Sequence, residues 1–203
     1  MIIRSLFVIC VLFVGVLHAQ EPIDGIDARS NAAEFARQLG STDPLVRQKS
    51  AEALARLAAT DQRKLVQGYH LQEKNKEVKL AMDWALYRMG QSEALYRIVQ
   101  ALDSGRQEQA IGYLSELEGP DVLYPFLKKQ NNQPRVNAGL LKALARIGDA
   151  QTLDLIKPFR DSHQPYVAEA AEIAHDEIEK RLGEATTPGR SRPRTVSTTG
   201  DRP

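Results

Sequence analysis

The sequence predicts an all-α protein built from repeated helix pairs, and three observations carry that prediction. Apolar residues recur at helical spacing from residue 46 onward, the pattern returns every 28 to 32 residues, and glycines fall between its two halves. From Val46, steps of four, eight and eleven reach Ser50, Leu54 and Leu57. The same steps from Val78 reach Met82, Leu86 and Met89, and from Arg106 they reach Ala110, Leu114 and Leu117. From Val136 they reach Leu140, Leu144 and Ile147, and a weaker copy runs from Val167 through Ala171, His175 and Ile178. Such steps line up along one face of a helix with ~3.6 residues per turn. Each unit therefore opens with an amphipathic helix that needs a neighbour.

The second half of each unit repeats as well. Seventeen residues past the anchor stand Leu95, Leu123 and Leu153; twenty past it stand Ile98, Phe126 and Ile156. The first unit fits less cleanly, and there Leu65 and Tyr69 are expected to carry the apolar face. Gly90, Gly119 and Gly148 lie between the two helices, where glycine supplies the left-handed conformation that ends a helix. Asp43, Pro44, Asp121 and Asp149 stand at the expected helix starts, where an acceptor or a proline suits exposed N–H groups.

The stretches "DPLVRQKSAEALARLA", "NKEVKLAMDWALYRMG" and "QPRVNAGLLKALARIGDAQTLDLI" resemble HEAT repeats, in the short variety named after phycobilisome lyase subunits. Val46-Arg47, Ala53-Leu54, Ala85-Leu86, Ala143-Leu144 and Gly148-Asp149 match that pattern, whereas unit three carries Arg106 for the valine and Tyr113 for the alanine. The resemblance covers roughly residues 41–182 and implies an α-solenoid of four to five helix–turn–helix repeats. Residues 30–40, SNAAEFARQLG, look like the second helix of an incomplete preceding unit that caps the start.

The two ends differ from this middle. Arg4 precedes an apolar run from Leu6 to Leu17, shorter than the ~20 residues a spanning helix needs. Residues 1–19 thus read as a signal peptide cleaved after Ala19, with an uncleaved anchor as the alternative; the expected location is secreted or periplasmic, with no stable membrane anchor after cleavage. The single cysteine, Cys10, lies inside that run, so the mature chain is expected to hold neither a disulfide nor a thiolate metal site. Residues 184–203 contain Val196 and no other large apolar residue, and they read as a disordered tail bearing Arg190, Arg192 and Arg194. The expected organisation is a signal peptide over 1–19, a capping segment over 20–40, the repeat domain over 41–183 and the tail over 184–203.

Little in the sequence points to chemistry. Beyond the signal segment there are three histidines, His70, His163 and His175; none pairs with another at i,i+4, and no His-Glu dipeptide occurs. His175 takes a core-facing step, while His70 and His163 are expected at the surface near helix ends. The i,i+4 pairs Glu52–Arg56 and Glu177–Arg181 read as ion pairs on exposed helix faces. Asp83-Trp84 falls inside a first-type helix, so Trp84 reads as a packing residue. No catalytic, metal or cofactor site is predicted. With 27 Lys+Arg against 26 Asp+Glu, bulk charge argues against a nucleic-acid partner and leaves room for a local patch.

In stacked pairs of this kind the second helices line the concave surface, where partners dock. Eighteen residues past each anchor come Lys64, Tyr96, Tyr124 and Asp154; twenty-two past come Gly68, Gln100, Lys128 and Pro158. Equivalent positions would set Tyr96 and Tyr124 on adjacent rungs about 10 Å apart. Two readings stand: both tyrosines cover the seam between repeats, or Lys64, Tyr96, Tyr124 and Lys128 form a partner-binding ridge. The function expected is a non-catalytic scaffold binding another protein outside the cytoplasm; an accessory subunit of an enzyme or a structural envelope component are the alternatives.

Overall fold

A computed structural model describes residues 23–129 and 131–186, which form ten α-helices and no strand. First-type helices, those that open a unit, are α2 (Pro44–Arg56), α4 (Lys76–Arg88), α6 (Gln107–Leu114), α8 (Pro134–Ile147) and α10 (Pro165–Thr186). Between them run the second-type helices α3 (Arg63–Gln72), α5 (Glu93–Ala101), α7 (Tyr124–Leu127) and α9 (Ala150–Arg160), with α1 (Ile23–Gln38) ahead of all. The expected signal peptide and residues 187–203 of the expected tail lie outside the described residues; α10 itself runs three residues into that tail.

Local sequence sets where helices begin. Asp43 accepts from the Leu45 amide, with Pro44 behind it, and Asn75 accepts from the Val78 amide at the start of α4. Asp149 and Thr152 cap α9 reciprocally, each side chain bonding the other's backbone N–H. Asp121 behaves differently: it opens a three-residue 3-10 turn, Asp121–Leu123, and makes no side-chain cap. Arg47 ties the first unit together by donating through Nε and Nη2 to both oxygens of Glu73 and through Nη1 to the carbonyl of Ser41.

Helix ends use the glycines for two different purposes. Gly90 has φ +91°, the left-handed value expected of it. Gly148 does not: its φ is −62° and its ψ 155°, open to any residue. Glycine is needed there for room, since a Cβ would stand 2.6 Å from Ile178 Cδ1 and 2.6 Å from the Leu144 carbonyl oxygen. Gly119 likewise avoids the left-handed region. Ala58, at the same register as Gly90 and Gly148, adopts φ +44°, so the first unit makes its turn with a residue that the conformation disfavours.

The repeated apolar face is the core. Leu54, Met82, Leu86, Leu114, Leu140, Leu144 and Ile178 are fully buried, while Leu57, at the end of its series, is 39% exposed. First-type helices pack in succession, α2 on α4, α4 on α6, α6 on α8 and α8 on α10. Against this row pack α1 on α2, α3 and α5 on α4, α5 also on α6 and α8, and α9 on α10. Ala32 and Leu39 of the α1 region join the same core. In α3 the apolar face is carried by Val66, fully buried, together with half-buried Tyr69; Leu65 is 43% exposed.

Three expected surface features are drawn into packing. Arg181 donates to the carbonyls of Ala145, Arg146 and Gly148, closing the carboxyl end of α8 instead of pairing with Glu177. Glu52 accepts the Tyr113 hydroxyl at 2.7 Å and Gln48 Nε2 at 3.0 Å, so it is engaged across to α6 and not with Arg56. His70 is largely covered, with Nε2 2.9 Å from Asp83 Oδ1. His163 is exposed and His175 partly buried, as expected.

Candidate partner-binding face

Second-type helices hold three of the four residues singled out by register, Lys128 directly follows α7, and the structure separates them. Tyr96, on α5, is 49% exposed and its ring lies 6.5 Å from that of Phe126 on α7, tilted by 33°. Lys128, just past α7, is exposed and makes no ion pair among the described residues. Lys64, on α3, is exposed too, and lies outside both that aromatic contact and the cavity that Lys128 borders. Tyr124 is 5% exposed. Its hydroxyl sits 2.8 Å from Asp149 Oδ1, to which it donates, and 2.8 Å from Thr152 Oγ1. Tyr124 is a seam residue, tying unit three to the cap of α9; it offers a partner almost no surface.

This coupling explains two titration shifts. Burial foremost, then the Asp149 carboxylate, pushes the Tyr124 hydroxyl up to about 12. For Asp149, burial acts to raise the value, yet the hydrogen bonds from the Thr152 amide and the Tyr124 hydroxyl outweigh it and hold the carboxyl below its usual range.

Beside Lys128 a cavity of about 570 Å³ opens between α7, α8 and α9. Leu127, Leu155, Pro158 and Phe159 give it apolar walls; Lys128, Lys129, Asn137 and Asp154 stand around them. Asp154 is held by Lys157 at 2.7 Å, whereas Lys128 and Lys129 have no carboxylate partner among the described residues. An exposed aromatic on α5, Phe126 on α7 and this cavity therefore succeed one another across three consecutive second-type helices.

The repeat register does not disclose a second polar grouping. Asp83 is 5% exposed, and its Oδ1 accepts from Arg97 Nε at 2.6 Å. His70 Nε2 stands 2.9 Å from the same oxygen, so the buried carboxylate faces an imidazole from α3 as well as the guanidinium from α5. A signal was present: five residues past the anchor three of the other four units carry Ala51, Ile111 and Leu141, all buried, while the last carries exposed Glu172, so a buried aspartate there departs from the repeat. Trp84 packs as expected, 2% exposed and stacked 5.6 Å from Tyr113 and 5.8 Å from Tyr87. Among the described residues no three His, Cys, Asp or Glu side chains group as metal ligands, and no helix is long and apolar enough to cross a membrane.

No protein-family model matches the chain, and no curated protein matches it. Among solved structures, the crystal structure of an engineered protein, a Northeast Structural Genomics Consortium target, is 19% identical. The match spans 79% of this chain and 85% of that one, at a TM-score of 0.36.

Proposed function

We propose that the chain is a short α-solenoid of HEAT-like repeats, a non-catalytic scaffold that grips another protein through its second-type helices, outside the cytoplasm. The successive packing of first-type helices supports the solenoid reading. The export reading rests on the apolar run behind Arg4.

The observation that carries the binding reading is the cavity of about 570 Å³ with apolar walls and two unpaired lysines at its edge, in line with the exposed Tyr96. Its chemistry suits a segment that places an apolar side chain between Leu155 and Phe159 and a carboxylate near Lys128. Lys64 and Tyr124, grouped with Tyr96 and Lys128 by register, have no part in it.

The test pairs capture with folding. The variant Tyr96→Ala/Lys128→Glu changes an exposed lysine and a half-exposed tyrosine whose ring meets Phe126, so it should keep the wild-type helical circular dichroism, melt slightly lower, and lose the proteins that the wild type retains from its native extract. Undiminished capture by this variant, or an equal loss in a Lys64→Glu control, refutes this placement of the binding face.

A further inference from the structure

A second cavity, of about 250 Å³, lies where α4, α5 and the start of α6 meet, and its walls carry an excess of positive charge. Lys76 and Lys79 come from α4, Arg97 from α5 and Arg106 from the residue that precedes α6; the one carboxylate is Asp83. In a chain whose formal net charge is +1, four cations facing one space are a local exception. Lys76, Lys79 and Arg106 make no ion pair among the described residues.

Asp83 gives this cluster its organisation. Burying a carboxylate is costly unless something is gained from its position. The other two strong arginine–carboxylate pairs, Arg47–Glu73 and Arg160–Glu172, each engage Nε and Nη2. Arg97 is bound to Asp83 through Nε alone, and its terminal nitrogens make no hydrogen bond among the described residues. A buried carboxylate thus fixes the guanidinium and leaves its outer donors unspent at the cavity. Nearby, the Ser104 hydroxyl donates to the Ala101 carbonyl and receives the Arg106 amide, which holds the turn bearing Arg106.

Three of these residues also break the repeat. Asp83 replaces the buried apolar residue of the other central units, Arg106 replaces the anchoring valine, and Arg97 stands where units one and four carry Leu65 and Leu155. Asp83 joins Arg97 of α5 and meets His70 of α3, and Asp83, Arg97 and Arg106 all line one cavity.

We propose that this cavity binds a phosphate-like oxyanion, carried on a free small solute or on a lipid headgroup, with Arg97, Lys79 and Arg106 as its ligands and Asp83 as the residue that positions Arg97. The site is independent of the partner-binding face.

Calorimetric titration of the full chain with inorganic phosphate at constant ionic strength should give saturable binding of one phosphate. Lys79→Gln and Arg106→Gln should each weaken it about tenfold, the loss of one charge-assisted contact, while Lys128→Gln leaves it unchanged. Helical circular dichroism accompanies each variant; Lys79, half-buried and unbonded, decides the matter if Arg106→Gln fails to fold. Flotation with vesicles containing phosphatidic acid assigns the source: co-flotation lost in Lys79→Gln means a headgroup, and phosphate binding without co-flotation means a free solute. The proposal is overturned if neither probe binds, or if Lys79→Gln weakens binding no more than Lys128→Gln does.

Discussion

Replacing Gly148 by alanine separates the two uses of glycine at the helix–helix turn. The backbone at Gly148 is one any residue adopts, so no conformational strain is expected. The obstacle is space: the new Cβ meets Ile178 Cδ1 and the Leu144 carbonyl oxygen at 2.6 Å each, and Thr152 Cγ2 at 3.0 Å. Ile178 is fully buried and the carbonyl is backbone that also accepts the Gly148 amide, so neither yields easily. Overpacking of a filled core costs about 1–3 kcal/mol, and the backbone contact places this site in the upper half of that range. The reduced freedom of the unfolded chain returns about 0.4–1 kcal/mol, leaving a net loss of about 2 kcal/mol.

Gly90→Ala is the matched comparison. Nothing lies within 4 Å of its added Cβ, and only the φ of +91° resists it. That strain is about 1–2 kcal/mol, reduced by the same unfolded-state term to about 0.5–1 kcal/mol. Ala58→Gly, at an exposed residue already in the left-handed region, should stabilise by a similar amount. Urea unfolding followed by circular dichroism ranks the three, and melting should fall by about 4–8 °C in Gly148→Ala. A Gly148→Ala protein as stable as wild type, or one less affected than Gly90→Ala, refutes the crowding argument.

Two further expectations concern the core and the seam. Leu86→Ala and Leu144→Ala, at positions 1% and 0% exposed, should each cost about 2–5 kcal/mol, read from the shift in urea midpoint; a midpoint unchanged in both would remove them from the core. The Tyr124 hydroxyl, raised to about 12 in the fold, favours the folded state while it stays protonated; that contribution is complete below the unfolded value of about 10 and fades as pH climbs towards 12. Tyr124→Phe should therefore lower stability at neutral pH and make the alkaline decline less steep, and an alkaline limb of undiminished slope would show that Tyr124 does not titrate with unfolding.

The core was legible because burial obeys the same period as the sequence. Ser50, Met82, Ala110 and Leu140, four past their anchors, are all buried. In unit three, expectation and structure part through local phase. Residues 60–62 and 121–123 form 3-10 turns, which advance about 120° per residue instead of about 100°. Three such residues rotate the downstream helix by about 60°. In unit three this helps to bury Tyr124 and Leu127 while Phe126 is half-exposed, so Tyr96 and Tyr124 share a register position and not an environment. In unit one the plus-twenty position is Val66, which is fully buried; the register itself pointed there, and Leu65 was the departure from it. Gly148 could not be told from Gly90 by sequence, because the side chain that crowds it arrives from Ile178, thirty residues on.

Repetition also supplies a way to separate packing from function. At a position where every unit buries an apolar side chain, the residue type is accounted for by stacking. At a position where one unit departs, stacking no longer accounts for it. Glu172, the plus-five residue of α10, is such a departure, exposed and paired with Arg160, and no further first-type helix packs beyond α10 among the described residues. Asp83 departs in another way: it is buried, and its Oδ1 stands 2.9 Å from His70 Nε2 of α3 and 2.6 Å from Arg97 Nε of α5. Those two groups offset its burial, and one of them, Arg97, stands at a cavity lined by three more cations. The face proposed to bind a partner follows the register only in part, through Tyr96 and Lys128, whereas the basic cavity lies where the register fails.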